Sequence, residues 1–392
     1  MADLLSPFRR RTNEVLQVSA ELGGLIITGQ PIPWNAEAVL VEACLRLPAG
    51  FRRKEDLALR VAGREPVLPV AYRRDEVPDR CRVYFRVPTP VANTSAEFTW
   101  CERLLSRVAM PVLSREDFLE SLHFELPVVH ARLGTESVAC QTFVSGQCQG
   151  LLAGGMLKSP YSLAPLAELG LTAEFLGDNI GAPITVTVPL SGSQLLSKEA
   201  LVSAAPRKLA RRSATWNITW RAGGRVLATS NVRAIRPGEC HRSMRLVGTR
   251  FIVDDGKEIT ARRQLPAPGE AVRVGPCFLV SSSEPGLAAK CEFEVRAVMS
   301  GPSEPIGYWR QTVLVTDGPT AIAPGTVPTA DLANIQAFDL RLHGRSLGQL
   351  PLHPVPVATF TAEGGYVAPP DFPWTGAAED ELNERLSKLM GG

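Results

Sequence analysis

Residues Ser213 to Ile235 read SATWNITWRAGGRVLATSNVRAI. From Thr215 to Arg221 this stretch alternates. Trp216, Ile218 and Trp220 fall on one face, and Thr215, Asn217, Thr219 and Arg221 fall on the other. Successive strand side chains point to opposite faces, so the spacing predicts a half-buried strand. Ala222-Gly223-Gly224 follows, and glycine supplies the positive φ that a tight hairpin needs. A second strand is expected from Arg225 to Ile235. Two indoles on one face need a large core to cover them, so the hairpin should form one wall of a sandwich. The tryptophans then point inward and the arginines outward.

The same pattern recurs on both sides. Ala38 to Leu47 puts Val39, Val41, Ala43, Leu45 and Leu47 on one uniformly apolar face. Arg82 to Val87, Glu97 to Trp100, Val138 to Val144, Ile184 to Val188, Met244 to Val253, Cys291 to Val298 and Trp309 to Val315 also read as strands. The 32 prolines and 33 glycines are spread along the 392 residues, as expected where many short strands are joined by turns. The fold class expected is all-β: two or three tandem sandwich-like, immunoglobulin-like modules with a short C-terminal α-helix.

A division follows from turn and composition shifts. Residues 1–12 read as a flexible tail ending in Arg9-Arg10-Arg11, 13–125 as a first β-sandwich module, and 126–238 as a second. Residues 243–320 read as a smaller third module. The proline-rich segment 321–374 is expected to pack on that third module. Residues 375–390 read as an amphipathic helix, with Leu382, Leu386 and Leu389 along one stripe. A faint echo links Ser95–Trp100, Ser213–Trp220 and Ala288–Val295, each a small pair followed by bulky residues at period two.

Chemistry is sparsely marked. There is no Gly-x-Ser-x-Gly elbow and no phosphate loop. The five histidines occur singly and no Cys-x-x-Cys is present, so no cofactor or metal is expected. Glu239, Cys240 and His241 with His343 and His353 are the nearest approach to a ligand set. Cys277, in Gly275-Pro-Cys-Phe278, is the one candidate nucleophile, with His241, His343 or His353 as base; it would make the chain a cysteine-dependent hydrolase. Cys140 and Cys148 flank a turn and could face each other. The chain has no apolar run long enough for a signal-peptide core or a membrane span, so a cytoplasmic protein with reduced thiols is expected.

Charge is more informative. Net charge is only +2, yet Arg207, Lys208, Arg211, Arg212, Arg221, Arg225, Arg233, Arg236 and Arg242 crowd residues 207–242 against a single acid, Glu239. Such a face attracts an acidic protein or nucleic acid. The function expected is a non-enzymatic intracellular adaptor or scaffold. It would bind another protein through sandwich surfaces, through Arg207, Lys208, Arg211, Arg212, Arg221 and Arg225, or through the Leu382–Leu389 stripe. An accessory nucleic-acid binder using the 207–242 face is the alternative. The pattern does not bear on oligomeric state.

Overall fold

The computed structural model describes residues 14–46, 53–74, 80–207, 214–266, 272–299, 308–316 and 318–352. The expected tail at 1–12 and the expected helix at 375–390 lie outside them.

The first module holds β1 (Glu14–Leu22), β2 (Leu25–Thr28), β3 (Ile32–Pro33), β4 (Ala38–Arg46), β5 (Leu57–Val61), β6 (Ala71–Arg74), β7 (Arg80–Val87), β8 (Thr94–Trp100), β9 (Arg103–Met110) and β10 (Val112–Leu113). They form two main sheets, β2-β1-β4-β7-β6 and β5-β8-β9. Val39, Val41, Ala43 and Leu45 of β4 are buried in one cluster with Phe85 and Phe98, whose rings meet edge to face at 5.5 Å. Alternation along β4 therefore places its apolar face in the core.

Helix α1 (Arg115–Ser121) follows. Ser114 caps it by accepting the Asp117 N–H, and Phe118 anchors it in the core. The second module then runs β11 (His123–Leu133), β12 (Glu136–Ala139), β13 (Thr142–Val144), β14 (Gly150–Lys158), α2 (Leu166–Leu169), β15 (Leu171–Gly177), β16 (Ile184–Thr187), α3 (Gly192–Leu196), β17 (Glu199–Ala204), β18 (Thr215–Ala222) and β19 (Arg225–Ile235). One sheet is β12-β11-β14-β17 and the facing one begins β16-β15-β18-β19-β13. The β18–β19 hairpin turns through Gly223 and Gly224, both at positive φ. Trp216 and Trp220 are 2% and 1% exposed, and Phe124 stacks on Trp220 at 4.7 Å.

The single strand expected over Val138 to Val144 is two. The chain leaves β12 at Cys140, and the Gln141 and Thr142 N–H groups both donate to Gly286 O. That shared acceptor carries β13 into the opposite sheet.

Helix α4 (Pro237–Ser243) joins the second and third modules. The third comprises β20 (Met244–Asp254), β21 (Ile259–Arg262), β22 (Arg273–Ser282), β23 (Leu287–Met299), β24 (Tyr308–Val315), β25 (Thr320–Ile322), β26 (Val327–Pro328), β27 (Ile335–Leu342) and β28 (Arg345–Pro351). One sheet is β21-β20-β22-β25, with β26 also on β22; the other is β23-β27-β28, with β24 on the far side of β23. Strands from residues 320–352 thus pair with those from residues 244–299.

Each module has one sheet in which a late strand sits between an earlier strand and the strand that follows it: β5-β8-β9, β15-β18-β19 and β23-β27-β28. This repeated order, facing a sheet of the remaining strands, is the immunoglobulin-like arrangement. The sequence echo matches it only in part. Ser95–Trp100 is β8 and Ser213–Trp220 runs into β18, which are equivalent, but Ala288–Val295 lies in β23, which occupies the flanking position. Period-two patterning made the third resemblance, not a shared place in the fold.

Two modules are joined through their sheets. Strand β13 runs parallel to β19, pairing Thr142 with Arg233, and parallel to β23, pairing Thr142 with Leu287. Gln147 extends the seam, its side-chain amide donating to Lys290 O and accepting from Lys290 N at 2.8 and 2.9 Å.

Candidate functional site

Strand β11 and strand β19 lie side by side at one end of the second module without pairing. A groove of about 470 Å³ opens between them, lined by Pro127, Val128 and Val129 on one side and Thr229, Ser230 and Asn231 on the other. Ala139, Cys140 and Gln141, crossing between the sheets, close one end together with Gly286.

Strand alternation decides what each wall offers. The Ala234 N–H donates to Ala214 O, on the β18 side, whereas the Arg233 N–H donates to Gln141 O, on the opposite side. Backbone groups alternate along a strand, so those of Asn231 and Thr229 also point away from β18, toward the groove. On β11, Val129 O accepts the Cys140 N–H, so the backbone of Val129 points away from β14. The register breaks between Glu125 and Val128, where Leu126 holds φ at 49° and Pro127 carries no N–H. This bulge leaves Leu126 and Pro127 out of the ladder, which continues through Glu125 on one side and Val128 on the other. The groove is therefore a gap between the open polar edge of β19 and the apolar flank of β11, whose Val129 C=O is already bonded to Cys140, and it has the dimensions of a ligand site.

Part of this was legible. Pro127 bars its position from a central ladder, and Thr229-Ser230-Asn231 is a polar run in a strand. Their juxtaposition was not, since about a hundred residues separate them.

Described arginines of the basic stretch have partners distant in sequence. Arg207 is exposed. Lys208, Arg211 and Arg212 lie outside the described residues, as do Leu382, Leu386 and Leu389. Arg221 Nε donates to Glu174 on neighbouring β15 at 2.8 Å and Arg221 Nη1 to Gly224 O. Arg225 donates to Leu119 O on α1. Arg233 pairs with Glu284 at 3.4 Å. Glu174 and Glu284 are acids that the local sequence count does not see, and they partly neutralise the face. Half-exposed pairs of this kind contribute roughly 0–1 kcal/mol each.

The sulfur and imidazole candidates separate. Cys277 is fully buried, and burial pushes its thiol up to about 12, opposed by the nearby Arg250. A nucleophilic thiol needs the reverse shift and an approach for substrate, so Cys277 is a core side chain. Cys148 donates to Gly150 O at 3.1 Å, and none of the eight cysteines, Cys140 and Cys148 included, is in a disulfide. His241 and His343 stack with ring centroids 4.0 Å apart. Burial, then the charges of His343 and Arg345, hold His241 below its ordinary value. Cys240 faces away from them into the core, and Glu239 accepts the Arg236 N–H. His353 lies outside the described residues, and among the described residues no group of three side chains could hold a metal. No described helix is long and apolar enough to cross a membrane.

No family model and no curated protein matches the chain. Three solved structures resemble it at low scores. The I9–I11 tandem of titin has a TM-score of 0.24 at 7% identity, covering 86% of this chain and 96% of that one. A putative membrane anchored protein from Corynebacterium diphtheriae has 0.19 at 11% identity, covering 87% and 94%. A DUF4785 family protein from Legionella pneumophila has 0.18 at 11%, covering 87% and 86%. Scores this low carry no argument about function.

Proposed function

We propose that this chain is a non-enzymatic intracellular adaptor or scaffold that holds another protein by an extended segment laid into the β11–β19 groove. The observation that carries this reading is the open edge of β19, where the backbone groups of Thr229 and Asn231 face the gap. Backbone N–H and C=O groups are obligatory hydrogen-bonding groups, and an added strand is the partner that satisfies a row of them. Val128 and Val129 supply apolar contact, while Thr229, Ser230 and Asn231 supply polar contact. Immunoglobulin-like modules suit such a role, because two packed sheets hold their edges in place while the edges meet the partner. The intracellular placement is supported by eight cysteines that stand outside any disulfide.

Selection of a displayed random-peptide library against the full chain tests this reading. The recovered peptides should be extended and weakened at least about tenfold by Ser230→Trp, which fills the groove, a loss of about 1.4 kcal/mol. Ser230 pairs with the buried Ile218 on the inward face of β19, so the variant's thermal midpoint is measured beside its binding. Peptides that bind the Ser230→Trp chain as well as the original would rule the groove out.

A further inference from the structure

The sulfurs of Cys240 and Cys291 sit 3.9 Å apart, 51 positions distant in sequence. Cys240 lies on α4, the connection between the second and third modules, and is 1% exposed. Cys291 lies on β23, the strand that β13 joins to the second module, and is 3% exposed. Both belong to one apolar cluster with Val144, Ile235, Met244 and Phe293. Nothing in packing alone requires two thiols here, since two small apolar side chains would fill the same space.

We propose that Cys240 and Cys291 form a redox-modification site, a dithiol that a peroxide converts to a disulfide, pinning α4 to β23 at the joint between two modules. The sulfurs already touch. A disulfide needs them at about 2.05 Å, so small side-chain rotations must close the remaining gap. The Cys291 S–H can donate to a Cys240 thiolate, which draws Cys240 down against the opposing effects of burial and Glu284. The same bond, followed by burial, pushes Cys291 up. Either thiol can be the donor, so attack by Cys240 with resolution by Cys291, written out below, and the reverse order close the same disulfide.

The chemistry balances with hydrogen peroxide, which is small enough to reach a buried pair through local opening. The Cys240 thiolate attacks one peroxide oxygen, the O–O bond breaks, and hydroxide leaves and takes up the Cys240 proton as water. Cys291 sulfur then attacks the resulting sulfenic sulfur. The S–O bond breaks, the Cys291 proton leaves with that oxygen as the second water, and the S–S bond forms. Each sulfur gives up one electron and peroxide accepts two.

Peptide mass after peroxide treatment of the full chain tests the site. The chain is unfolded in alkylating reagent and digested before and after exposure. The expected result is a peptide pair joined through Cys240 and Cys291, lost on reduction, with a rise in the thermal midpoint of roughly 5 °C from closing the intervening loop. In a Cys291→Ser chain, dimedone should label Cys240 as the stranded sulfenic acid. The idea fails if peroxide leaves both residues alkylated, oxidises them no faster than the equally buried Cys277, or joins either to a different cysteine. Because the joined peptide is read in the unaltered chain, the test holds even if the variant does not fold.

Discussion

Trp220 faces the Phe124 ring in the interior of the second module, and Trp216 is buried on the same face of β18. Truncating either removes a large apolar surface from a packed site that cannot fully collapse. Trp220→Ala should therefore cost about 3–5 kcal/mol in chemical denaturation, and Trp220→Phe less, because a ring remains against Phe124. A cost under about 1 kcal/mol for Trp220→Ala would mean that the indole is not core. At this scale the sequence was readable wherever alternation was clean. Trp216, Ile218 and Trp220 went to the core as their spacing requires. The Gly150–Lys158 strand carries a weak apolar rhythm in sequence, because Gly154 and Gly155 interrupt it. The reason is steric: a Cβ on Gly155 would collide with the Phe124 ring. A side chain that packs across the sheet thus removes the local signal from the strand beneath it.

Elements are where local reading fails first. Nothing between Val138 and Val144 announces that the chain changes sheets at Cys140. The change is made by Gly286, whose carbonyl accepts two N–H groups from a segment far earlier in the chain. Acids such as Glu174 and Glu284 reach the basic hairpin in the same way, across pairings that no local count contains. Strand β13 carries a consequence for folding. It lies between β19 and β23, so the second and third modules should unfold as one cooperative unit. Thr142→Pro removes the N–H that bonds to Gly286 O and breaks β13 at its start. Calorimetry should then show the joint transition split into two, with the first module unaffected. A transition that stays single and merely moves down in temperature would mean that β13 is not what couples them.

In the whole molecule, the immunoglobulin-like repeat was visible from patterning, because three sets of short alternating strands punctuated by glycine and proline admit few other folds. The groove was not visible, because it exists only where β11 and β19, interior strands of two different sheets, come together beyond the reach of β12 and β13. Its position beside Gly286 puts it next to the seam between the second and third modules and near the β13 crossing. A partner segment laid there would meet the part of the molecule where backbone pairing between modules is concentrated. That gives the adaptor reading a physical basis: binding is read out by a strand edge, at a place where two modules are held in one sheet. The most direct measurement is amide hydrogen exchange across β19, in the free chain and with a bound peptide. Ser230 and Val232, whose N–H groups point to β18, should exchange slowly in both states. Thr229 and Asn231, whose N–H groups face the groove, should exchange fast in the free chain and become protected when the peptide binds. Protection of Thr229 and Asn231 already present in the free chain, or unchanged by the peptide, would contradict the account.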